Sequence, residues 1–218
     1  MNKKTLYFIL MFLPLIITLL ALPFLPETIP AHYNFAGEVD RWGSKYETLI
    51  FPATTILMGI FMLFMAKVAA KDENGGEKNA KIVFYTGMGI SVWFTIMHCY
   101  SLFMDFKSKD AMSYVHETDI NQLFCIVMGI GMVIIGNFMP KLKNNSLIGL
   151  RTKWSMKNDV TWKKSQFFAG VSFMIAGVLM VVTGFVLKEL AAMYAALGII
   201  ITCAIASVIY SYIISKKY

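Results

Sequence analysis

Charge is scarce in this sequence: only 15% of its 218 residues are charged, where a soluble domain carries about 25%. Polar stretch is scarce as well, and six apolar runs leave no room for a separate soluble domain. No HExxH, GxSxG, phosphate-cradling glycine loop or CxxC occurs, which removes the common signatures of zinc, serine, nucleotide and redox chemistry. An enzyme therefore has little to stand on, and no cofactor or metal is implied. The three cysteines, Cys99, Cys125 and Cys203, all fall in apolar runs without ligand spacing, and read as small packing residues. Cys99 and Cys125 fall near the outer ends of adjacent helices, which leaves a proximity role open. Internal repeats and paired interrupted helices are also absent, which weakens a secondary-transporter reading.

What is present is hydrophobic: 57% of residues, with a mean hydropathy of +0.62. Runs at about 6–25, 49–70, 82–104, 120–139, 166–187 and 190–214 are long enough to cross hydrocarbon. They must be helices, because an open strand in lipid leaves its backbone unpaired. The expectation is an all-α membrane protein of six transmembrane helices with short loops. Lys3 and Lys4 before the first run resemble the start of a signal peptide, but the run is too long and holds Pro14 and Pro23, so it reads as an uncleaved span. With the N-terminus inside, fifteen of the twenty Lys and Arg residues fall at cytoplasmic ends and five outside. The positive-inside rule then predicts an N-in, C-in protein of the bacterial cytoplasmic membrane. The formal charge of +7 is topological, since the basic residues sit beside apolar runs and form no block suited to nucleic acid.

Within the spans, His98 reads as the one ionisable side chain, either a packing residue or part of a proton relay. Asn137 either bonds across helices or caps the break before Pro140. Ala169/Gly170, Ala176/Gly177 and Thr183/Gly184 recur every seven residues in the fifth span, which predicts close packing on a neighbour or a lipid or peptide groove. Gly87, Gly89, Gly129, Gly131 and Gly136 admit the same two readings.

Two loops carry more information. In the outer one, 26–48, Pro26 and Pro30 stop the helix, Asn34 to Gly37 favours a turn, and Tyr33, Phe35 and Trp42 suit the headgroup level. This is an ordered aromatic cap, either an interfacial anchor or a surface for something arriving from outside. His32, Glu38, Asp40 and Glu47 match no metal-ligand spacing. In the inner loop, 140–165, Ser155 or Asn158 can cap a helix entering the fifth span, and Asp159 precedes Lys163 in the favourable order. This basic, tryptophan-bearing loop meets either anionic lipid or a cytoplasmic partner, for which Arg151 offers directed hydrogen bonds.

The inner pattern Asn137-x-Met139, then Ile148-Gly149-x-Arg151-Thr152-x-Trp154, then Trp162, resembles the signature of the SdpI family, bacterial membrane proteins of immunity and signalling in a sporulation-delaying toxin system. Ser155 stands where Thr is common there, and Asp159 where Glu is common. The outer segment, with Pro26, Pro30, His32, Asn34, Gly37, Asp40, Trp42 and Lys45, is similar to a domain of unknown function usual at the N-terminal end of such proteins. The resemblance implies three parts: a two-helix unit over 1–70 with its outer loop, a third helix over 71–119, and a three-helix unit over 120–218. It further implies a non-enzymatic protein that protects its cell from a secreted, membrane-active peptide toxin. The partners implied are that toxin, the bilayer and a cytoplasmic ArsR-like autorepressor, with no direct nucleic-acid contact. By carry-over the outer loop or bundle meets toxin, and Asn137, Ile148, Gly149, Arg151, Thr152, Trp154 and Trp162 meet the repressor. A membrane sensor without immunity, and a peptide or lipid transporter, are the competing readings.

Overall fold

A single span in hydrocarbon must satisfy its own backbone, and the apolar runs do so as helices. A computed structural model of the chain describes residues 2–34, 38–71, 76–107, 120–145 and 147–218. Among these, six helices are long and apolar enough to cross a membrane. They are α1 (Lys3–Ala21), α2 (Ile50–Ala69), α3 (Gly76–Lys107), α4 (Ile120–Phe138), α5 (Asp159–Val186) and α6 (Glu189–Lys217).

The structure corrects the all-helical expectation between α1 and α2, where β1 (Thr28–Tyr33) and β2 (Val39–Ser44) form a two-stranded antiparallel sheet. Ile29, Tyr33, Val39 and Trp42 favour extended backbone, while Pro26 and Pro30 bar a helix. Three boundaries also move. α1 ends at Ala21, where a 3-10 turn at Leu22–Phe24 holds Pro23, so Pro23 rather than Pro26 stops the helix. α5 begins at Asp159 because Asn158 caps it in a reciprocal box with Thr161. α3 runs on to Lys107 and takes in Asp105, which the apolar-run reading left in a loop. Asp105 lies two turns beyond His98 on one helix face, and both are 1% exposed, so His98 is not alone as an ionisable group within a span.

The chain divides into two compact units, residues 1–63 with 85–120, and residues 64–84 with 121–218. In the first, polar side chains tie α1 to its neighbours. The Tyr7 hydroxyl donates to the Gly59 carbonyl of α2 at 2.9 Å, and the Thr18 hydroxyl lies 2.6 Å from His98 Nε2 on α3. The same Thr18 hydroxyl donates to the Pro14 carbonyl at 2.8 Å, which spends its one proton. His98 must then donate through Nε2–H, against the Phe51 ring whose centroid is 5.5 Å away. His98 Nδ1 is left as an acceptor with no hydrogen bond among the described residues.

In the second unit α5 is the central helix. On one side a methyl group at Gly177 would lie 2.5 Å from the Gly129 carbonyl, and one at Gly129 would lie 2.5 Å from the Gly177 carbonyl. The same reciprocity holds for Gly136 and Gly170, at 2.5 and 2.6 Å, and Gly184 meets the Gln122 carbonyl. The three crossings pair residues in opposite order along the chain, so α4 and α5 are antiparallel. Lipid supplies no hydrophobic drive between helices, and bare glycine faces let the backbones approach close enough for dispersion and Cα–H···O contacts. Beside these crossings Ala176 and Met180 of α5 join Cys125 and Met132 of α4 and Ala192, Ala196 and Cys203 of α6 in one buried cluster. The close-packing reading of the small pairs therefore describes this face.

Candidate functional site

The connection from α4 to α5 is held by its own polar groups. Pro140 lies in a 3-10 turn, Met139–Lys141, that ends α4. The buried indole of Trp162 donates to the Leu142 carbonyl at 3.0 Å, which fixes the exit of that turn. Two side-chain amides then act as surrogate backbone. Asn79 of α3 accepts from Lys143 N at 3.2 Å and donates to its carbonyl at 3.4 Å. Gln166 of α5 accepts from Leu150 N and donates to its carbonyl, both at 2.9 Å. Asn145 accepts from the amides of Leu147 and Ile148 at 2.8 Å each, closing a local turn.

Gly149 has a φ of +100°, a region that side chains avoid. A methyl group there would also lie 2.6 Å from Gln166 Oε1, so both backbone and space require glycine. Beyond it, Thr152 and Ser155 bond each other's amides at 2.9 and 3.0 Å, and the Ser155 hydroxyl reaches the Leu150 carbonyl at 2.7 Å. Thr152 also lies 3.0 Å from the Ser211 hydroxyl of α6. Trp154 stands edge-on to Tyr212 with centroids 5.2 Å apart, and Lys157 donates to the Ser215 carbonyl at 2.9 Å.

Within this frame Arg151 differs from its neighbours. It is exposed and makes no hydrogen bond or ion pair among the described residues, so its five donors point to nothing in the unit. Trp162 is 2% exposed, which makes it an anchor of the loop. Ile148 is half-buried in the Asn145 turn, and Asn137 is exposed on α4 with no hydrogen bond among the described residues, so it neither bridges helices nor caps one there. Asp159 accepts from Asn144 at 3.3 Å and forms no ion pair with Lys163.

The hairpin between α1 and α2 is likewise self-paired. Arg41 makes a fork to Glu47, at 3.2 and 2.8 Å, and donates to the Ala31 carbonyl. The Glu47 carboxylate lifts the Arg41 guanidinium above its ordinary pKa by hydrogen bonding and charge. Lys45 meets Glu27 at 2.8 Å and His32 meets Asp40 at 2.6 Å. Asn34 accepts from Glu38 N and donates to its carboxylate, both at 3.0 Å. Pro30 is buried, Pro26 half-buried and Trp42 exposed. Gly37 and Phe35 lie outside the described residues. Among those described, no cluster of three or more metal-ligating side chains is found.

Residues 141–211 match the SdpI/YfhL protein family and residues 9–56 match a domain of unknown function, DUF1648. A curated relative, Immunity protein SdpI of Bacillus subtilis (strain 168), is 24% identical over 189 residues, covering 87% of this chain and 84% of that protein.

The chain is thus similar to the SdpI family over its C-terminal third.

An uncharacterized protein of Archaeoglobus fulgidus is 43% identical over 44 residues, 20% of this chain and 24% of that protein. No solved structure matches. The six helices long and apolar enough to cross a membrane, with the likeness to Immunity protein SdpI, make this a multi-pass cell-membrane protein. The SdpI-type motif residues Gly149, Thr152, Trp154 and Trp162 are brought together as the frame of one loop, whereas Arg151 is its unpaired end. Sequence reasoning missed Asn79, Asn145 and Gln166. The signal available for Asn79 and Gln166 was a side-chain amide at the edge of an apolar run, but Asn137 has the same placement and its side chain bonds nothing among the described residues, so that signal alone does not single them out.

Proposed function

We propose that this protein is a membrane immunity protein, a non-enzymatic binder that protects its cell from a secreted peptide toxin acting on the membrane. The likeness to Immunity protein SdpI over 87% of the chain carries this reading. The bias of fifteen basic residues against five supports an N-in, C-in orientation. In that orientation the 26–48 hairpin faces the side from which a toxin arrives, and the α4–α5 connection faces the cytoplasm. The segments 1–70 and 120–218 then divide the work, with 71–119 linking them.

The second task is capture of a cytoplasmic ArsR-like repressor by the α4–α5 connection. What supports it is Arg151, an exposed fork of donors on a loop whose neighbouring peptides are already bonded. A preformed loop loses little conformational entropy on docking, and a planar guanidinium recognises a carboxylate with two directed bonds. The same observation supports the competing reading of a sensor that recruits a repressor without conferring immunity.

Survival separates the two. A toxin-sensitive strain lacking its own immunity genes, expressing this protein, survives a dose series of the sporulation-delaying peptide better than the same strain without it. No protection from protein shown to be in the membrane would sink the immunity reading. Arg151→Ala retains protection and abolishes recruitment of the repressor to the membrane; equal loss of both at normal protein levels would refute the division of labour.

A further inference from the structure

Apart from Lys188 and Glu189 in the turn between α5 and α6, residues 121–218 hold nine lysines and arginines and one acid, Asp159. None of the nine enters an ion pair among the described residues, and Asp159 is engaged by Asn144. Four of these lysines, Lys141, Lys153, Lys164 and Lys216, lie over aromatic rings. Two of the four share one aromatic pair. The Lys153 ammonium is 5.4 Å from the centroid of the Trp154 ring, and the Lys216 ammonium 5.5 Å from that of Tyr212. The two rings meet edge to face at 5.2 Å. Beside them the Thr152 and Ser211 hydroxyls, 3.0 Å apart, tie the α4–α5 connection to α6. A ring attracts an ammonium through its face without consuming an N–H, so both lysines keep donors for an anion.

Toward the middle of α6 the same face is apolar. Helical spacing puts Ile201, Ile205, Ile209, Tyr212 and Lys216 on one side of the helix, and the three isoleucines are each more than half exposed. On a helix that crosses the membrane such a face meets acyl chains. Trp and Tyr take the level where chains meet headgroups. The lysine pair therefore stands where the headgroup of a lipid lying along α6 would be. A soluble protein could reach the cations but not the isoleucines.

We propose that Lys153, Trp154, Tyr212 and Lys216 form a binding site for an anionic phospholipid, its phosphate held by the two ammonium groups and an acyl chain lying along Ile209, Ile205 and Ile201. Charge complementarity selects the lipid class: a zwitterionic headgroup brings its own cation up to the lysines, whereas phosphatidylglycerol brings none. Attraction of scattered lysines to an anionic surface needs neither rings nor fixed positions; this cluster has both. The bound lipid ties the α4–α5 connection to the end of α6 and to the bilayer at once.

Native mass spectrometry of the full chain in detergent, supplied with phosphatidylglycerol and phosphatidylcholine in equal amounts, tests it. The expected result is preferential retention of phosphatidylglycerol. Lys153→Gln with Lys216→Gln lowers that affinity by about tenfold or more, whereas Lys143→Gln with Lys163→Gln, which removes the same charge from the same end of the unit, leaves it within about twofold. Lys153→Arg with Lys216→Arg, keeping charge and ring contact, retains the lipid. Without any variant, the parent's midpoint of thermal unfolding rises with added phosphatidylglycerol and not with phosphatidylcholine. Equal loss in the two glutamine pairs means diffuse charge and overturns the site, as does a parent midpoint indifferent to phosphatidylglycerol. Inorganic phosphate that raises the midpoint as far assigns the cluster to a free anion. Polyglutamate binding lost in Lys153→Gln with Lys216→Gln, while phosphatidylglycerol is kept, assigns it to an acidic protein. Either result overturns the proposal.

Discussion

At the scale of single residues, the α4–α5 connection depends on amides that imitate backbone. Gln166 gives Leu150 both a donor and an acceptor, so its loss leaves the Leu150 N–H without a partner and its carbonyl with the Ser155 hydroxyl alone. Gln166→Leu lowers stability by about 1–3 kcal/mol, read as a reduced midpoint of thermal unfolding in detergent, whereas Arg151→Ala leaves that midpoint where it was. An equal fall in both would mean that Arg151 is part of the frame. Gly149, Thr152 and Trp154 were legible because their spacing forms a recognisable pattern. Gln166 and Asn79 were not, because their partners lie 16 and 64 residues away in sequence, and no spacing rule reaches that far.

At the scale of elements, the glycine faces of α4 and α5 set up a conflict between propensity and packing. Alanine favours an α-helix over glycine by about 1 kcal/mol. Gly177→Ala should nevertheless destabilise the unit, because the new methyl group would sit 2.5 Å from a backbone carbonyl that cannot swing aside. Gly131→Ala, with nothing within 4 Å of the added group, should be neutral or mildly stabilising. Thermal unfolding of the two variants in detergent checks this, and the same sign for both would remove the helix contact from the account. The seven-residue rhythm of α5 was legible in the sequence, but its partner was not. The hairpin was less legible still: a search for apolar runs sees spans and turns, and six-residue strands register as neither.

At the scale of the whole molecule, length and hydrophobicity gave the number of spans, since crossing hydrocarbon imposes nearly the same demand on every helix. Orientation remains to be measured. Alkaline phosphatase, active only outside the cytoplasm, should be active when fused after Ser44 and inactive when fused after Tyr218; the reverse pattern would turn the proposed topology over. The division into two compact units was not legible, because α2 and α3 each run unbroken from one unit into the other and a continuous helix carries no mark of where its allegiance changes.

The glycine ladder of α4 and α5 repeats every seven residues, and a repeating surface holds no record of its own phase. If α4 slid one heptad along α5, Gly129 would face Gly170 and residue 122 would face Gly177, so two of the three crossings would re-form. Packing alone would accept either arrangement. What breaks the tie lies at one end, where Trp162 holds the Leu142 carbonyl and Pro140 rests against Gly170. The connection therefore acts as an index mark during assembly: it tells two helices that could mesh in more than one setting which setting to keep.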